Sequence, residues 1–398
     1  MKIAVIGKGT SSIISTLVCL KYGYQVEIFY DPDSPPINVG ESTTPNIGGL
    51  LLDVLDITIG ELIDEGIVSF KNGIKFINWG KSENFKHHFS GNASAFHFES
   101  EIFNKFIHQK LEKVGVKYHP KRVSGYEINR DTDKVFIEND QYDFLINCAG
   151  WCDNQDYVKP IFETVNTAIL YSEEGMDDYS YTLHRATEHG WQFGLPFPDR
   201  NLTKCGYLFN RKFTSMDEVD EHFRIKKSNC NYQIYNNFSW TPRYARKMLL
   251  SKYEASNGNR LMFIEPLQAL SLYYYELFAT YICDFLRDRT LESFESTNQR
   301  YYIEMFNYQI SLAFHYSYGS KYNSDFWIDI HKRAKSIMNL NYKFSEESQK
   351  SLYNFNKRYR GEEFMVGIFN YKDYEMIHSG MLNLNLPDLI EDVSLIGF

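Results

Sequence analysis

The sequence predicts an α/β fold in which an N-terminal βαβ unit is joined to an antiparallel sheet and a helical region. Three observations carry this reading. Lys2-Ile3-Ala4-Val5-Ile6 is a short buried-type strand followed at once by the glycine turn Gly7-Lys8-Gly9-Thr10-Ser11-Ser12. Between about residues 160 and 255 short apolar runs alternate with turns, as in an antiparallel sheet. From Phe263 onward the chain is mostly helical in pattern and aromatic. At 398 residues more than one core is expected, since single cores seldom grow past roughly 250–300 residues. The expected regions are 1–160 with 250–290 as a discontinuous nucleotide module, 161–249 as a sheet module, and 291–398 as a helical region.

In chain order, Ile13 to Leu20 reads as a helix and Gln25-Val26-Glu27-Ile28-Phe29 as the second strand. Glycines between strand and helix let the backbone approach a pyrophosphate, whose charge then sits at the helix N-terminus. Gly7, Gly9, Thr10, Ser11 and Ser12 are therefore candidate dinucleotide contacts of a Rossmann-like module, with a plain tight turn as the alternative. Ser12 stands where a third glycine is usual. Asp31, one place beyond Tyr30, is the candidate for a ribose hydroxyl. Gly258, in the module's second stretch, is a further candidate cofactor contact. Val39-Gly40-Glu41-Ser42-Thr43-Thr44-Pro45 precedes an amphipathic helix through Leu50 to Ile57.

Ser69 to Trp79 reads as one strand, with Lys71, Lys75, Ile77 and Trp79 on one face and Phe70, Ile74 and Phe76 on the other. Both faces are largely apolar. An ammonium there loses hydration, which favours the neutral amine and prepares a reactive lysine. The competing reading is a strand-edge lysine whose stem packs while its charge reaches water. Phe103, Phe106, Ile107 and Leu111 recur at helical spacing, and Tyr142 to Asn147 is another strand, ending in Cys148-Ala149-Gly150. Phe263 to Leu272 enters a long helix running to Leu286. His87-His88 reads as a solvated loop pair, His97 as a core or catalytic histidine, Tyr273-Tyr274-Tyr275 as helix packing, and Asp325 as a helix N-cap.

Net charge is −9 with no Lys/Arg block, which excludes an electrostatic footprint for nucleic acid. No run of ~18 apolar residues predicts a membrane span. The six cysteines are scattered without paired zinc-type spacing, so no metal site is expected. With no leader pattern at the start, a cytoplasmic protein in a reducing compartment is expected.

These stretches together resemble the flavin-dependent halogenases of the tryptophan-halogenase family. The likeness is strongest in Val39 to Pro45, where the family reads G-E-A-T-I-P, and in Phe70 to Trp79, where it reads Y/F-K-x-A-I-K-F-x-N-W. It recurs in Ser94-Ala95-Phe96-His97-Phe98, Leu145 to Gly150, Gly190-Trp191-Gln192-Phe193-Gly194-Leu195-Pro196, Phe263-Ile264-Glu265-Pro266-Leu267 and Ser324-Asp325-Phe326-Trp327. The short, Asn-, Lys- and Tyr-rich chain suits a compact viral, phage-type member, which would work in the host cytoplasm.

The resemblance implies a flavin monooxygenase-like fold with an FAD-binding Rossmann-like domain. It implies reduced FAD from a separate flavin reductase, oxygen and a halide ion, giving hypohalous acid that travels through a tunnel to Lys71. There a neutral amine becomes a haloamine, or an ammonium polarises the acid by a hydrogen bond. The resemblance puts Glu41 and Ser42 beside the cofactor, with Trp191 on the flavin side and Phe193 near the tunnel. Where the family has Glu-Ser-Thr-Gly after Pro266-Leu267, this chain has Gln268-Ala269-Leu270-Ser271. Gln268, in the place of the lysine's catalytic partner, holds a hydrogen bond but accepts no proton at neutral pH. Leu270 makes the halide surroundings, with Pro266, Ala269 and Ser271, more apolar. A small, strongly hydrated chloride then loses most, so iodide or bromide is expected to be favoured.

Only about sixteen residues separate Trp79 from Phe96, where the family usually carries a long insertion over the substrate. An open site for phenols or indoles is expected. An aromatic monooxygenase and a non-catalytic flavin binder are the alternatives, and self-association stays open.

Overall fold

The computed structural model describes residues 1–34, 39–89, 94–129, 131–152, 155–175, 178–227, 231–339, 365–366 and 369–383. The chain divides into two compact units. The first comprises Met1–Val68, Phe98–Lys159 and Arg243–Tyr302; the second comprises Ser69–His97, Pro160–Pro242 and Ile303–Phe398. This differs from the three expected regions: the antiparallel sheet groups with the C-terminal segment, and residues 69–97 join them. The reason is strand pairing, since Gly73–Ile77 lies parallel to Tyr181–Thr187. Residues 340–364 and 384–398 of the expected helical region lie outside the described residues.

The first unit is built on a six-stranded sheet ordered Leu249–Ser251, Glu254–Ser256, Phe144–Asn147, Lys2–Ile6, Gln25–Tyr30 and Lys117–Pro120. Lys2–Ile6 pairs in parallel with both Phe144–Asn147 and Gln25–Tyr30. Strands covered on both sides read as continuous apolar runs, and Ile3, Ala4, Val5 and Ile6 are accordingly all buried. The helix Thr10–Lys21 follows the glycine turn and buries Ile13, Ile14, Leu17 and Val18. A later helix of this unit, Leu270–Asp288, starts further along the chain than the periodicity predicts. Gln268 (φ 64°) and Ala269 (φ 56°) are left-handed, so the chain turns sharply before the helix begins.

The second unit carries a seven-stranded sheet ordered Tyr232–Ser239, Thr167–Glu174, Leu202–Phe209, Gly190–Phe197, Tyr181–Thr187, Gly73–Ile77 and Asn84–His88. The expected single strand over 69–79 is in fact two strands, Val68–Lys71 and Gly73–Ile77, broken at Asn72. Asn72 donates its backbone N–H to Ser180 (2.7 Å) and accepts from Phe89 (3.0 Å), which holds the break. Alternation therefore does not run from Lys71 to Lys75. Phe70, expected on a covered face, is 38 % exposed, whereas Lys71 is 0 % exposed.

Trp79 centres an aromatic core, with ring centroids 5.3 Å from Tyr316, 5.3 Å from Trp327, 5.9 Å from Phe76 and 6.3 Å from Trp191. Asp325 opens the helix Asp325–Met338 but is not its cap; Ser324 accepts from the Trp327 N–H at 3.5 Å. Among the described residues no helix is long and apolar enough to cross a membrane.

Candidate active site

The glycine turn lies in the first unit at the head of the helix Thr10–Lys21, with Gly9 as its N-cap and no side-chain cap. The first amides and the helix dipole together favour an anion. Gly7 has φ 119°, and a Cβ there would stand 2.8 Å from the Cys148 carbonyl oxygen. Ser12 fills the third glycine's place fully buried, its hydroxyl turned back on the Gly9 carbonyl at 2.7 Å. Gly258 (φ 67°) closes on the same turn; a Cβ there would fall 2.2 Å from Ser11 Oγ. The two glycines let Cys148 and Ser11 close tightly around the turn, and the helix start they shape, without a side-chain cap, fits a dinucleotide pyrophosphate. Asp31 follows the end of Gln25–Tyr30, where its carboxylate meets Arg122 at 3.8 Å.

Glu41 sits in the strand Gly40–Ser42 and accepts a 2.9 Å hydrogen bond from Thr10 Oγ1, while Ser42 beside it is buried. Burial pushes the Glu41 carboxyl up to about 7, with the Thr10 hydroxyl opposing the shift. Asn104, which the sequence reading did not single out, lies 3.3 Å from the same hydroxyl. Gln268 is 1 % exposed and Leu270 is 1 % exposed, while Pro266, Ala269 and Ser271 are half-buried. A leucine at the first helical position gives this turn an apolar wall.

Lys71 belongs to the second unit, at the end of Val68–Lys71. Its Nζ lies 5.2 Å from the centre of the Phe89 ring, and burial lowers its amine to about 7. His97 is also fully buried, with Nε2 2.9 Å from Thr182 Oγ1 and Nδ1 3.3 Å from Ser69 Oγ. Ser69 gives its proton to the Pro196 carbonyl. The His97 Nδ1–H therefore donates to Ser69, and Nε2 accepts from Thr182. Burial first and the Lys71 charge second hold this imidazole well below its ordinary value, hence neutral.

His87, read from sequence as solvated, is 0 % exposed and lies 3.4 Å from Asp373. The strand Asn84–His88 turns it inward and leaves His88 exposed. The sequence reading missed His184, which stands opposite Phe76 in the parallel pairing, edge-on to its ring at 5.3 Å. Burial, then Lys71, His315 and His87, keep His184 well below its ordinary value. Its sole signal in the sequence is a histidine inside an apolar strand.

Trp191, which the resemblance puts on the flavin side, is 0 % exposed within the second unit's aromatic core, 4.9 Å from the His184 ring. Other protein rings cover it, with Trp79 at 6.3 Å and Phe193 at 6.4 Å between ring centroids. Phe193 is half-buried and lies over Gly206, where a Cβ would meet its ring at 2.2 Å.

The tryptophan halogenase family profile matches residues 2–94 and 90–384. Tryptophan 7-halogenase RebH of Lentzea aerocolonigenes is 21 % identical over 364 residues, 69 % of this chain and 67 % of that protein. Tryptophan 6-halogenase ThaL of Streptomyces albogriseolus is 20 % identical over 422 residues, covering 82 % and 78 %. A tryptophan halogenase structure from Shewanella frigidimarina NCIMB 400 superposes with a TM-score of 0.78 at 16 % identity, covering 100 % of this chain and 93 % of the other. BrvH, a flavin-dependent halogenase from Brevundimonas sp. BAL3, gives 0.76 at 14 % identity, covering 99 % and 94 %. The fold is thus the α/β arrangement of flavin-dependent halogenases, with a Rossmann-like and an antiparallel sheet region. With the profile running from residue 2 to residue 384, this chain belongs to the tryptophan halogenase family.

Proposed function

We propose that this flavin-dependent halogenase attaches iodide or bromide, in preference to chloride, to phenol- or indole-class substrates through hypohalous acid delivered to Lys71. The observation that supports this most is the burial of Lys71, whose amine lies near 7. Bound in reduced form, FAD supplies with oxygen the oxidising power that turns halide into hypohalous acid. Gly7, Gly9, the helix head at Thr10 to Ser12, and Gly258 would hold its pyrophosphate, and Asp31 a ribose.

The chain's own residues do the rest. Neutral His97 and His184 place no second positive charge near the Lys71 amine, so the amine and ammonium forms are both accessible near neutrality. Gln268, in the place of the family glutamate, orients by hydrogen bonding without taking the ring proton. The apolar wall at Leu270 favours a large, weakly hydrated halide. A separate flavin reductase is the proposed partner, in the cytoplasm. A phage-type origin has no support from the curated relatives from Lentzea, Kutzneria and Streptomyces.

The test supplies reduced FAD, oxygen, a panel of phenols and indoles, and each halide in separate wells, with mass spectrometry as readout and catalase present. Halide-dependent mass gains that vanish in Lys71→Ala, with iodide or bromide ranked above chloride, are expected. Best use of chloride would overturn the halide preference. Hydroxylated product without halide dependence would point to a monooxygenase.

A further inference from the structure

We propose that Glu188, His189 and His222 form a site for one divalent transition-metal ion, zinc by its donor chemistry, on the second unit. One ligand atom from each residue lies within 4.8 Å of the others. Ligands at about 2.0–2.1 Å from a tetrahedral zinc ion stand about 3–3.5 Å apart, so a closure of about 1 Å completes the arrangement.

The fold brings these donors together for reasons unconnected with the chemistry at Lys71. Thr187 pairs with Gly190 in the hairpin of Tyr181–Thr187 and Gly190–Phe197, which leaves Glu188 and His189 as its two-residue turn. His222 comes from the helix Met216–Lys227, capped by Ser215, whose Oγ accepts from the Glu218 N–H at 3.2 Å. Val219 and Phe223 of this helix are buried against Ile169, Tyr171, Tyr207 and Phe209, and that fixes its rotation. His222 is thereby aimed at the turn. Its ring centre is 4.9 Å from that of His189, and its Nδ1 is 3.7 Å from Glu188 Oε2.

A second observation is independent of these distances. Thr214 Oγ1 lies 3.3 Å from His189 Nδ1, the kind of outer partner that fixes the tautomer of a ligating imidazole and leaves Nε2 for the ion. Glu188 is exposed and both histidines are half-buried, so an ion reaches the site from solvent. Two imidazoles and one carboxylate suit zinc with water as fourth ligand; magnesium and calcium take oxygen sets. The sequence reading expected no metal from the scattered cysteines; His189 and His222 are far apart in the chain and carry no motif that would signal a site. Bound there, the ion would clip the hairpin that carries Trp191 to the helix, a structural role.

The experiment titrates Co²⁺ into the chelator-treated full chain and follows visible d–d absorption, then adds Zn²⁺. Expected are saturation at one equivalent with band intensities of a four-coordinate ion, displacement by Zn²⁺, and loss of the bands in His189→Gln/His222→Gln. Absence of stoichiometric binding, or unchanged bands in a folded double variant, would overturn the proposal. Should that variant not fold, the wild-type protein decides through diethyl pyrocarbonate labelling mapped by peptide mass spectrometry. Micromolar Zn²⁺ must then protect His189 and His222 while leaving exposed His88 reactive. Equal labelling with and without Zn²⁺ sinks the idea.

Discussion

Burying a lysine amine leaves a signature in stability whose sign is fixed. Lys71 is 0 % exposed with its amine near 7, whereas in the unfolded chain a lysine titrates near ~10.4. Between these values the unfolded chain holds a proton that the folded one lacks, so stability rises with pH from about 7 towards 10. Below 7 the full cost of the buried ammonium is present, an upper bound of about 5 kcal/mol. Lys71→Met removes the group while keeping its volume. We expect the variant to be more stable than wild type at pH 6 and the difference to shrink towards zero by pH 9.5, in urea unfolding at both values. A difference independent of pH would mean the amine keeps its charge in both states. The same titration separates the two chemical roles. Lys71-dependent product formation rises through about pH 7 if the neutral amine reacts, and falls if the ammonium donates. Glu41 runs the other way: its carboxyl, raised to about 7, contributes stability that is complete below ~4.3 and is lost as pH climbs through 7.

Among elements, the pieces around Trp79 show what sequence discloses and what it hides. The glycine turn was legible because its signal is local: two glycines between an apolar strand and a helix leave few other uses. The break at Asn72 was not, since it depends on backbone partners at Ser180 and Phe89. The inward turn of His87 and the place of His184 opposite Phe76 depend in the same way on register across the sheet. The late start of Leu270–Asp288 is set by two left-handed residues, neither of them glycine, which no propensity foretells. Trp79 itself follows Gly73–Ile77 after Asn78 (φ 62°), and its Nε1 has no hydrogen-bond partner among the described residues. Trp79→Ala removes a fully buried ring from a four-ring contact and should cost about 3–5 kcal/mol. Trp79→Phe keeps most of that surface and deletes an unsatisfied donor, so we expect less than about 1.5 kcal/mol. Urea midpoints at constant slope report both. Equal losses in the two variants would show that Nε1 is satisfied after all.

At the scale of the whole molecule, the short spacing between Trp79 and Phe96 is the feature on which the proposed substrate class rests. The alignment with Tryptophan 7-halogenase RebH spans 67 % of that protein, and only about sixteen residues lie between Trp79 and Phe96. A long cover over the substrate does two things: it shields the reacting ring from water and adds contacts to the substrate's polar groups. If the short stretch between Trp79 and Phe96 leaves the substrate uncovered, as the proposed function holds, contacts to an amino-acid headgroup are lost. Burying a charged ammonium and carboxylate requires partners for both, and without them free tryptophan gains little over a plain indole. We therefore expect kcat/KM for free tryptophan to be no higher than for larger indoles and phenols of similar ring electron density. Steady-state competition between tryptophan and such substrates at equal concentration measures this directly. A preference for free tryptophan of tenfold or more, about 1.4 kcal/mol of discrimination, would show that this short chain still grips the headgroup.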